Sequence, residues 1–493
     1  MTGPSKESDD GYLAEVVRKS SVGIAAFSTE RVLLTVLAYV VTTVSGGAAY
    51  GFFSVFTRGE TISRNLVAGL GDGYTRTVPR VSTAARRTLL TVGSVGFVLV
   101  WAVVAALIIV FRRPIIDATL LQPRHQRVIV LFAVGLLPFL LLRDIRDMFR
   151  ALRRVRFAML VSRIFTPLAL LAGVVFAVVI GRQSLFSTWV SIVAVALALT
   201  AASAFLLISH TSVGVGSVRL YRSVVRDFLN YSASTTGVAV LELVQRRAVF
   251  VVMALYLSPV AAGAFSLSVV IGLVVRWPLS GINVILPPIA ATLYDETRTQ
   301  TLKQLYRQTS RLATVVTTPV FVLGFAYAPD LLAVFNEAYV RQTPVLRLVL
   351  GAQYVATVFG SVGLLLLMTD NERASLLLQI VNAGIALPLM IVLTLQFGPL
   401  GLGVAYLLSL VLNNATELLL LYVRDGLVPF SREQVYAIVL TAPFAYGITL
   451  SKSTAGVTVS VLLTALSVLI YLLIGRRFLL RSVDRAALGT LLS

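Results

Sequence analysis

The chain has 493 residues, of which 57% are hydrophobic and 13% are charged, and its mean hydropathy is +0.89. An ordinary soluble domain carries about a quarter charged residues, so this composition excludes a soluble enzyme, a disordered chain and a solenoid of soluble repeats. There is no cysteine, which excludes a disulfide, a thiolate metal site and a cysteine nucleophile. A net charge of +20 in so apolar a chain is typical of loop arginines beside a bilayer, and we expect no nucleic-acid partner.

Long apolar runs, separated by short polar or Gly/Pro breaks, follow a polar segment that lacks the apolar core of a secretory signal. A membrane helix needs about 20 apolar residues, and backbone groups in lipid must bond within their own segment, which favours helices. We therefore predict an all-α integral membrane protein with about fourteen transmembrane helices. The breaks at 46–48, 257–260 and 396–400 are short and predict tight antiparallel pairs. The predicted spans are 21–46, 49–70, 88–111, 127–142, 158–181, 186–209, 228–257, 260–282, 309–328, 343–368, 374–395, 399–423, 434–450 and 455–475.

Basic residues are distributed unevenly between the two alternating sets of loops. One set, together with both termini, holds 27 lysines and arginines, whereas the opposite loops hold seven. Because cytoplasmic loops are enriched in Lys and Arg, we expect a multi-pass plasma-membrane protein with both termini in the cytoplasm. The loop arginines then serve as orientation signals and as contacts to anionic lipids.

The sequence contains an internal repeat. An ungapped offset of 212 residues pairs identical residues, including two charges inside predicted spans: Ser20 with Ser232, Glu30 with Glu242, Gly51 with Gly263, Phe53 with Phe265, Ser54 with Ser266 and Arg64 with Arg276. Both copies begin on the same side, which predicts two six-helix bundles related by a parallel repeat, plus two C-terminal helices. The expected domains are a cytoplasmic segment (1–20), spans 1–6 (21–227), spans 7–12 (228–433) and spans 13–14 with a cytoplasmic tail (434–493). Such halves enclose a central cavity, which is typical of a two-lobed transporter.

Apart from Arg127 and Arg311, at the first turn of their spans, eight arginines fall inside the predicted spans. A charge at the centre of such a helix costs about 2.5–3.5 kcal/mol. Six of the eight arginines lie on the first two helices of each half, together with only three glutamates. This excess of positive charge predicts an anionic ligand, and phosphate or diphosphate fits because a guanidinium group binds phosphate oxygens as a bidentate fork. The predicted phosphate-binding residues are Arg31, Arg58, Arg64, Arg246 and Arg276.

A structural role competes with this prediction for two of the arginines. Glu60 stands four residues before Arg64, and Glu242 stands four residues before Arg246, so each pair can meet as neighbours on one helix. Each pair could be a purely structural ion pair or part of a ligand site, and the sequence favours neither.

A polar cluster in the eleventh and twelfth spans is a second candidate site. Oxygen ligands of this kind suit a small hard cation or a proton, so the cluster, with Glu242, predicts a Na+ or H+ coupling site. The alternative is a set of interhelical hydrogen bonds that hold the bundle together. The cluster consists of Asn382, Asn413, Asn414, Thr416 and Glu417.

Other polar residues have structural interpretations. Asp144 and Asp147 (RDIRDMF) are surrounded by arginines, which favours a charged surface helix. Arg163 and Arg347 lie near span ends, where we expect their side chains to snorkel to the headgroups. The two histidines stand alone in loops, and no P-loop motif occurs. We therefore expect no metal site, no catalytic residues and no ATPase.

Several short motifs occur in the order and spacing of a known family. AAYGFFSVF opens the second span and GLGDGYTRTVPR closes it, LPPIAATLYDE follows the eighth span, and APDLLAVFNEAYV, VLRLVLG and FGPLGLGVAY come later. Over nearly its whole length the chain resembles the polysaccharide and oligosaccharide flippases of the multidrug/oligosaccharidyl-lipid/polysaccharide (MOP) exporter superfamily. The residues that carry the resemblance are Gly69, Gly71, Arg76, Pro287, Phe335, Tyr339, Leu346, Gly351, Gly398, Gly401, Gly403 and Ala405.

The resemblance implies export of a polyprenyl-linked sugar phosphate or diphosphate to the outer leaflet, by alternating access, for cell-surface polysaccharide or glycoprotein assembly. It also implies that arginines of the first, second, seventh and eighth helices face a basic cavity. Arg31, Arg58 or Arg64, and Arg276 occupy suitable helices. The implied partners are the lipid-linked sugar, membrane lipids, and glycosyltransferases or a polymerase of the same pathway. No cofactor is expected.

Three other functions remain as alternatives. A drug or organic-cation antiporter of the same superfamily should line its cavity with carboxylates, and the arginine excess argues against it. A membrane glycosyltransferase or polymerase would need a substantial loop domain or a carboxylate pair for a sugar nucleotide and its metal. A non-transporting scaffold that binds lipid is separated from a flippase only by a transport assay.

Overall fold

A computed structural model describes residues 9–211, 221–369, 371–454, 457–482 and 484–485. These residues form helices joined by short connections, and no β-strand occurs among them. The predicted all-α fold class is confirmed. The chain divides into two compact units, one comprising Thr29–Ser266 and the other Leu267–Ser493 together with Met1–Ser28. The predicted domain boundaries concern the sequence repeat rather than these units, and they stay a prediction.

The Thr29–Ser266 unit is built around aromatic residues from three helices. The rings of Phe56, Phe132 and Trp189 meet with centroids 5.2 to 5.7 Å apart, and Trp189 is fully buried. Such edge-on aromatic contacts stabilise a core beyond the area that they bury. The helices of this part of the chain are α1 (Asp9–Ser45), α2 (Gly47–Leu66), α3 (Ala68–Thr77), α4 (Thr83–Val110), α5 (Arg112–Ala118), α6 (Gln126–Ala151), α7 (Val155–Met159), α8 (Thr166–Val179), α9 (Leu185–His210) and α10 (Arg222–Tyr256).

The Leu267–Ser493 unit has an aliphatic core. Buried leucines of four helices pack together, among them Leu286, Leu305, Leu365 and Leu421. The helices of this part of the chain are α11 (Pro259–Val275), α12 (Trp277–Asp295), α13 (Thr299–Ala326), α14 (Ala328–Phe335), α15 (Thr343–Val358), α16 (Val362–Met368), α17 (Glu372–Asp425), α18 (Arg432–Thr454) and α19 (Val457–Ile474).

The helices break at the three predicted positions. Gly46 separates α1 from α2 with a φ of 89°, and two residues lie between the end of α10 at Tyr256 and the start of α11 at Pro259. Helix α17 has 54 residues, about 81 Å at helical rise, and turns back at Gly398, whose φ of 58° suits only glycine. A Cβ at Gly401 would lie 1.8 Å from the carbonyl oxygen of Leu393. Residues on the two sides of Gly398 therefore lie side by side.

The count of fourteen spans is not confirmed. Among the described residues, eight helices are long and apolar enough to cross a membrane, or nine if the bent pair α11 and α12 is one span. Two differences between the predicted spans and these helices have clear causes. The folded-back α17 contains two of the predicted spans, and α2 carries Arg58, Glu60 and Arg64, which lower its hydropathy. The protein is a multi-pass membrane protein, and side chains of α4 such as Val103 and Val110 are more than half exposed, as lipid-facing residues are.

Candidate anion-binding site

Arg31 lies 14 residues before the end of α1, about 21 Å along the helix axis. The neighbouring carboxylate of Glu30 forms an ion pair with Arg163, which lies on a π-helical turn between α7 and α8. Arg163 therefore has a carboxylate partner within the protein, and its snorkelling to the headgroups stays a prediction. Arg31 itself forms no ion pair in the part of the chain that the structure describes.

Arg347, the other arginine predicted to snorkel, is also satisfied inside the protein. Its Nε donates a hydrogen bond to the carbonyl oxygen of Phe325 at 3.1 Å, and its guanidinium lies 5.0 Å from the centre of the Phe325 ring. A backbone carbonyl and an aromatic face thus contact this guanidinium, and its snorkelling stays a prediction.

Arg58 of α2 stacks on an aromatic ring of α10. Its guanidinium carbon lies 4.2 Å from the centre of the Phe250 ring, and Phe250 is buried. A cation–π contact in a desolvated setting is worth about 2 kcal/mol. It also fixes the guanidinium plane, and N–H groups in that plane are the donors that a phosphate oxygen requires.

Arg64 is paired, as one of the two sequence interpretations expected. Its guanidinium forms an ion pair with Glu60 one turn earlier on α2, and Glu60 is 1% exposed. Removing a carboxylate from water is costly unless a cation stays beside it. Arg64 thus neutralises Glu60, which makes it the weaker phosphate-binding candidate of the two arginines on α2.

Arg276 occupies the break between two helices. Helix α11 ends at Val275 and α12 begins at Trp277, and the two helix axes are bent by 60° at this point. The Arg276 carbonyl accepts hydrogen bonds from the backbone N–H and the hydroxyl of Ser280, both at 3.0 Å. Interrupted helices at membrane depth are tolerated where the backbone lines a cavity or is buried in protein. The structure thus places Arg276, which the sequence put inside one continuous span, at such an interruption.

The side chains of two predicted site residues, Arg246 and Glu242, are not described. Arg246 and Glu242 belong to α10, but their side chains lie outside the part of the chain that the structure describes. Their predicted roles in phosphate binding and cation coupling stay predictions.

Part of the predicted cation-coupling cluster comes together across the fold of α17. Asn382 Nδ2 donates hydrogen bonds to Thr416 Oγ1 at 2.9 Å and to Asn413 Oδ1 at 3.4 Å. Asn414 instead donates to the carbonyl of Leu410 on its own helix at 2.7 Å. Asn382, Asn413 and Thr416 therefore link the two limbs of α17 on either side of Gly398. Such interhelical hydrogen bonds are the structural alternative that the sequence left open. Their role in coupling stays a prediction.

Glu417, the remaining member of the predicted cluster, packs against helix α16. It is buried at 6% exposure, and a Cβ at Gly363 of α16 would lie 2.8 Å from its Oε2. The small residue at 363 therefore makes room for this carboxylate. Within the described residues, no group of three His, Asp or Glu side chains could hold a metal ion.

The acid pair Asp144 and Asp147 was assigned to a charged surface helix, and that prediction is wrong. Both side chains are buried on α6, at 2% and 0% exposure. Asp147 Oδ1 accepts hydrogen bonds from Arg146 at 2.5 and 2.9 Å and from Arg150 at 3.2 Å. A Cβ at Gly71 of α3 would lie 2.2 Å from Asp147 Oδ2. Because Gly71 has no side chain, α3 can pack directly over the Asp147 carboxylate.

Asp144 binds hydroxyl groups rather than arginines. It accepts a hydrogen bond from Ser94 Oγ at 2.6 Å and lies 2.9 Å from the hydroxyl of Tyr74, which is fully buried. A signal for this burial was present in the sequence. The i,i+3 spacing puts both aspartates on one face of α6, and the glycine-rich GLGDGY segment is typical of a close helix approach.

The fold is shared with known transporters. A structure titled lipid II flippase MurJ, inward closed conformation, superposes with a TM-score of 0.74 at 12% identity, covering 93% of this chain and 99% of that one. A multidrug resistance MATE family transporter of the MOP superfamily, in an inward-facing conformation, gives 0.66 at 12% identity over 84% and 94% of the two chains.

A third structure shares the fold and is described as differing in its pocket. It is a MOP superfamily transporter from Pyrococcus furiosus, titled as having a binding pocket of reverse polarity, with a TM-score of 0.58 at 14% identity over 83% and 95% of the two chains. These likenesses establish the predicted fold. Among curated proteins, no sequence match is found.

Family membership rests on a separate match. The model of the family described as polysaccharide biosynthesis protein matches residues 92–342, which is half of the chain. The match covers α5 to α14 and agrees with the resemblance carried by the sequence motifs. The chain belongs to the polysaccharide biosynthesis protein family.

Proposed function

We propose that this chain is a flippase that moves a polyprenyl-phosphate- or polyprenyl-diphosphate-linked sugar from the cytoplasmic to the outer leaflet. The proposed cycle is alternating access without covalent chemistry. Family membership supports a role in polysaccharide assembly, and the fold supports transport. The substrate class is inferred from the charges of the membrane-embedded arginines.

The observation that carries the proposal is the contrast among these arginines. Arg64 and Arg163 each have a carboxylate partner, whereas Arg31 forms no ion pair among the described residues. A membrane-embedded cation is kept only where it performs a function or is neutralised. A phosphate that binds during transport would supply the missing negative charge.

Arg58 and Arg276 support the same substrate class on a different ground, which is where their side chains are placed. The Arg58 guanidinium lies over the Phe250 ring, and Arg276 stands where a helix is interrupted. Both arrangements are suited to a ligand whose negative charge is spread over several oxygens, because guanidinium groups bind such oxygens in pairs. An organic cation would be repelled by each of these arginines.

The test is flipping by the full chain reconstituted in liposomes, with a fluorescent polyprenyl-diphosphate-linked disaccharide as the substrate. We expect Arg31→Gln and Arg276→Gln to slow flipping about tenfold to a hundredfold, because each removes a charge-assisted hydrogen bond worth about 1.5–3 kcal/mol. Arg182→Gln, at an exposed loop arginine, is the control and should flip within about twofold of the wild type.

Two results would overturn the proposal. One is wild-type flipping by both variants after their unfolding temperatures show that they are folded. The other is transport of a fluorescent organic cation by a wild-type chain that does not move the diphosphate-linked lipid. That second result would favour the drug antiporter.

Orientation, coupling and partners belong to the same proposal. The excess of basic residues in one set of loops supports cytoplasmic termini. Coupling to Na+ or H+ at Glu242, Glu417 or the amides of α17 is proposed from their chemistry. The lipid-linked sugar, bilayer lipids, and glycosyltransferases or a polymerase of the pathway are the proposed partners.

A further inference from the structure

The Thr29–Ser266 unit contains a cleft away from the membrane-embedded arginines. It has a volume of about 420 Å³, within the range of about 300–1,000 Å³ that is usual for small-molecule sites. It lies where α3 and the following 3₁₀ turn (Val78–Arg80) meet the beginning of α10. The lining residues are Arg76, Thr77, Arg80, Asp227, Asn230 and Tyr231.

The two walls of the cleft are held together by glycines. A Cβ at Gly69 would lie 2.3 Å from the carbonyl oxygen of Ser232, and a Cβ at Gly73 would lie 2.2 Å from the Ser232 hydroxyl. Both glycines are buried, and only their missing side chains allow α3 and α10 to approach this closely. The cleft is therefore formed by a tight helix contact and not by a loose surface loop.

The α3 wall presents two arginines that lack carboxylate partners. Arg76 stacks on Tyr231, with its guanidinium carbon 4.1 Å from the ring centre. Arg80 follows one helical turn later, and like charges at this spacing repel each other. In the described residues neither arginine forms an ion pair.

Asp72, one helical turn before Arg76, does not neutralise the arginines of the α3 wall. Burial raises the pKa of Asp72 above its usual range, and the arginine that mainly opposes this shift is Arg150 of α6. Within the described residues, the two guanidinium groups of the cleft are therefore not neutralised by Asp72 or by an ion pair.

The α10 wall has the opposite chemistry. Asp227 and Asn230 are three residues apart, so they lie on one face of α10, and both line the cleft. A bare phosphate would be repelled by Asp227. A ligand that combines a phosphate with hydroxyl donors would satisfy both walls, because the hydroxyl groups can donate to the carboxylate and to the amide oxygen.

We infer that this cleft binds the sugar phosphate headgroup of the lipid-linked substrate on the arginine-rich side of the membrane. The phosphate contacts Arg76 and Arg80, and the adjoining sugar contacts Asp227 and Asn230. This inference rests on the proposed flippase function and adds a second, peripheral binding site to it. Arg80 belongs to the loops whose charge predicts the cytoplasmic side, so the cleft lies where the substrate is loaded.

The test measures equilibrium binding to the full chain in phosphatidylcholine nanodiscs, with glucose 1-phosphate and inorganic phosphate as the probes. The double variant Arg76→Gln/Arg80→Gln should weaken glucose 1-phosphate binding at least tenfold. The control, Arg154→Gln/Arg156→Gln, removes two exposed arginines of the same unit and should change binding less than twofold. Equal losses in the two double variants would mean that only general surface charge attracts the probe, and would overturn the inference.

Asp227→Asn tests the assignment of the sugar. It removes the repulsion of phosphate and an acceptor for hydroxyl groups, so the preference for glucose 1-phosphate over inorganic phosphate should fall at least threefold. An unchanged preference would contradict sugar binding. Adding polyprenyl-phosphate-linked glucose to the nanodisc should displace glucose 1-phosphate, and a failure to compete would assign the cleft to a free sugar phosphate instead.

Flipping assays keep the two proposals apart. If Arg76→Gln/Arg80→Gln loses binding in the cleft but flips substrate at the wild-type rate, the loading role fails and the flippase proposal stands. If the wild-type chain binds the probes in the cleft but flips no lipid-linked sugar, the flippase proposal fails and the binding site stands.

Discussion

Replacing Asp484 by Asn is expected to lower the free energy of unfolding by about 3–5 kcal/mol. The buried guanidinium group of Arg311 would then keep only the carboxylate of Glu433, which lies 3.8 Å away. Arg311 of α13 is 1% exposed and makes two parallel hydrogen bonds to Asp484, at 2.8 and 2.9 Å. The backbone N–H of Arg481 also donates to Asp484 at 2.8 Å. This pair ties the segment after α19 to the helix bundle. The measurement is equilibrium unfolding of the purified chain in detergent micelles.

A neighbouring ion pair provides the control. Arg481 Nε donates to Glu433 at 2.8 Å, but the Arg481 side chain is 59% exposed. Burial alone would raise the pKa of Glu433, yet the hydrogen bonds from Arg481 and from its own backbone N–H lower it to about 2. Because exposed pairs contribute about 0–1 kcal/mol, Arg481→Gln should change stability little.

A second variant separates charge from packing in the buried pair. Arg311→Met/Asp484→Leu removes both charges and should recover most of the lost stability, since apolar replacements of buried ion pairs are often neutral. Unfolding of Asp484→Asn at the same point as Arg481→Gln would contradict the account of this pair.

Replacing Gly69 by Ala is the second change with a large expected effect, about 3 kcal/mol of destabilisation. The new Cβ would lie 2.3 Å from the Ser232 carbonyl oxygen and 2.5 Å from the Thr236 backbone nitrogen. Backbone atoms cannot rotate away, so α3 and α10 would have to separate. We expect a lower thermal unfolding temperature, measured by tryptophan fluorescence.

The matched control is a glycine on α10 itself. A Cβ at Gly237 would meet nothing within 4 Å, and alanine favours the helix over glycine by about 1 kcal/mol. Gly237→Ala should therefore raise the unfolding temperature slightly. If both alanine variants shift it in the same direction by similar amounts, the close α3–α10 contact does not determine stability.

Much of the fold is predictable because local chemistry decides it. Apolar runs in lipid must be helical, and the breaks at Gly46, before Pro259 and at Gly398 follow from residues that end or reverse a helix. The number of spans was harder to predict. A helix such as α2 is held in place by aromatic packing and an internal ion pair, and these contacts do not appear in its hydropathy.

The candidate site is predictable only in part because pairing depends on helices that are distant in sequence. The sequence identified Glu60 and Arg64 as neighbours, since they share a helix. It could not show that Glu30 pairs with Arg163, which lies 133 residues later. The burial of Asp147 was missed for the same reason, since Gly71 of another helix makes the space that encloses it.

The account depends on membrane-embedded arginines that bind the phosphate of a lipid-linked sugar. The most direct measurement compares the dissociation constants of a polyprenyl-diphosphate-linked sugar and of the same lipid-linked sugar without phosphate, for the full chain in nanodiscs. We predict at least tenfold tighter binding of the diphosphate-linked lipid and a loss of that difference in Arg31→Gln. Equal affinities for the two lipids in the wild-type chain would contradict the account.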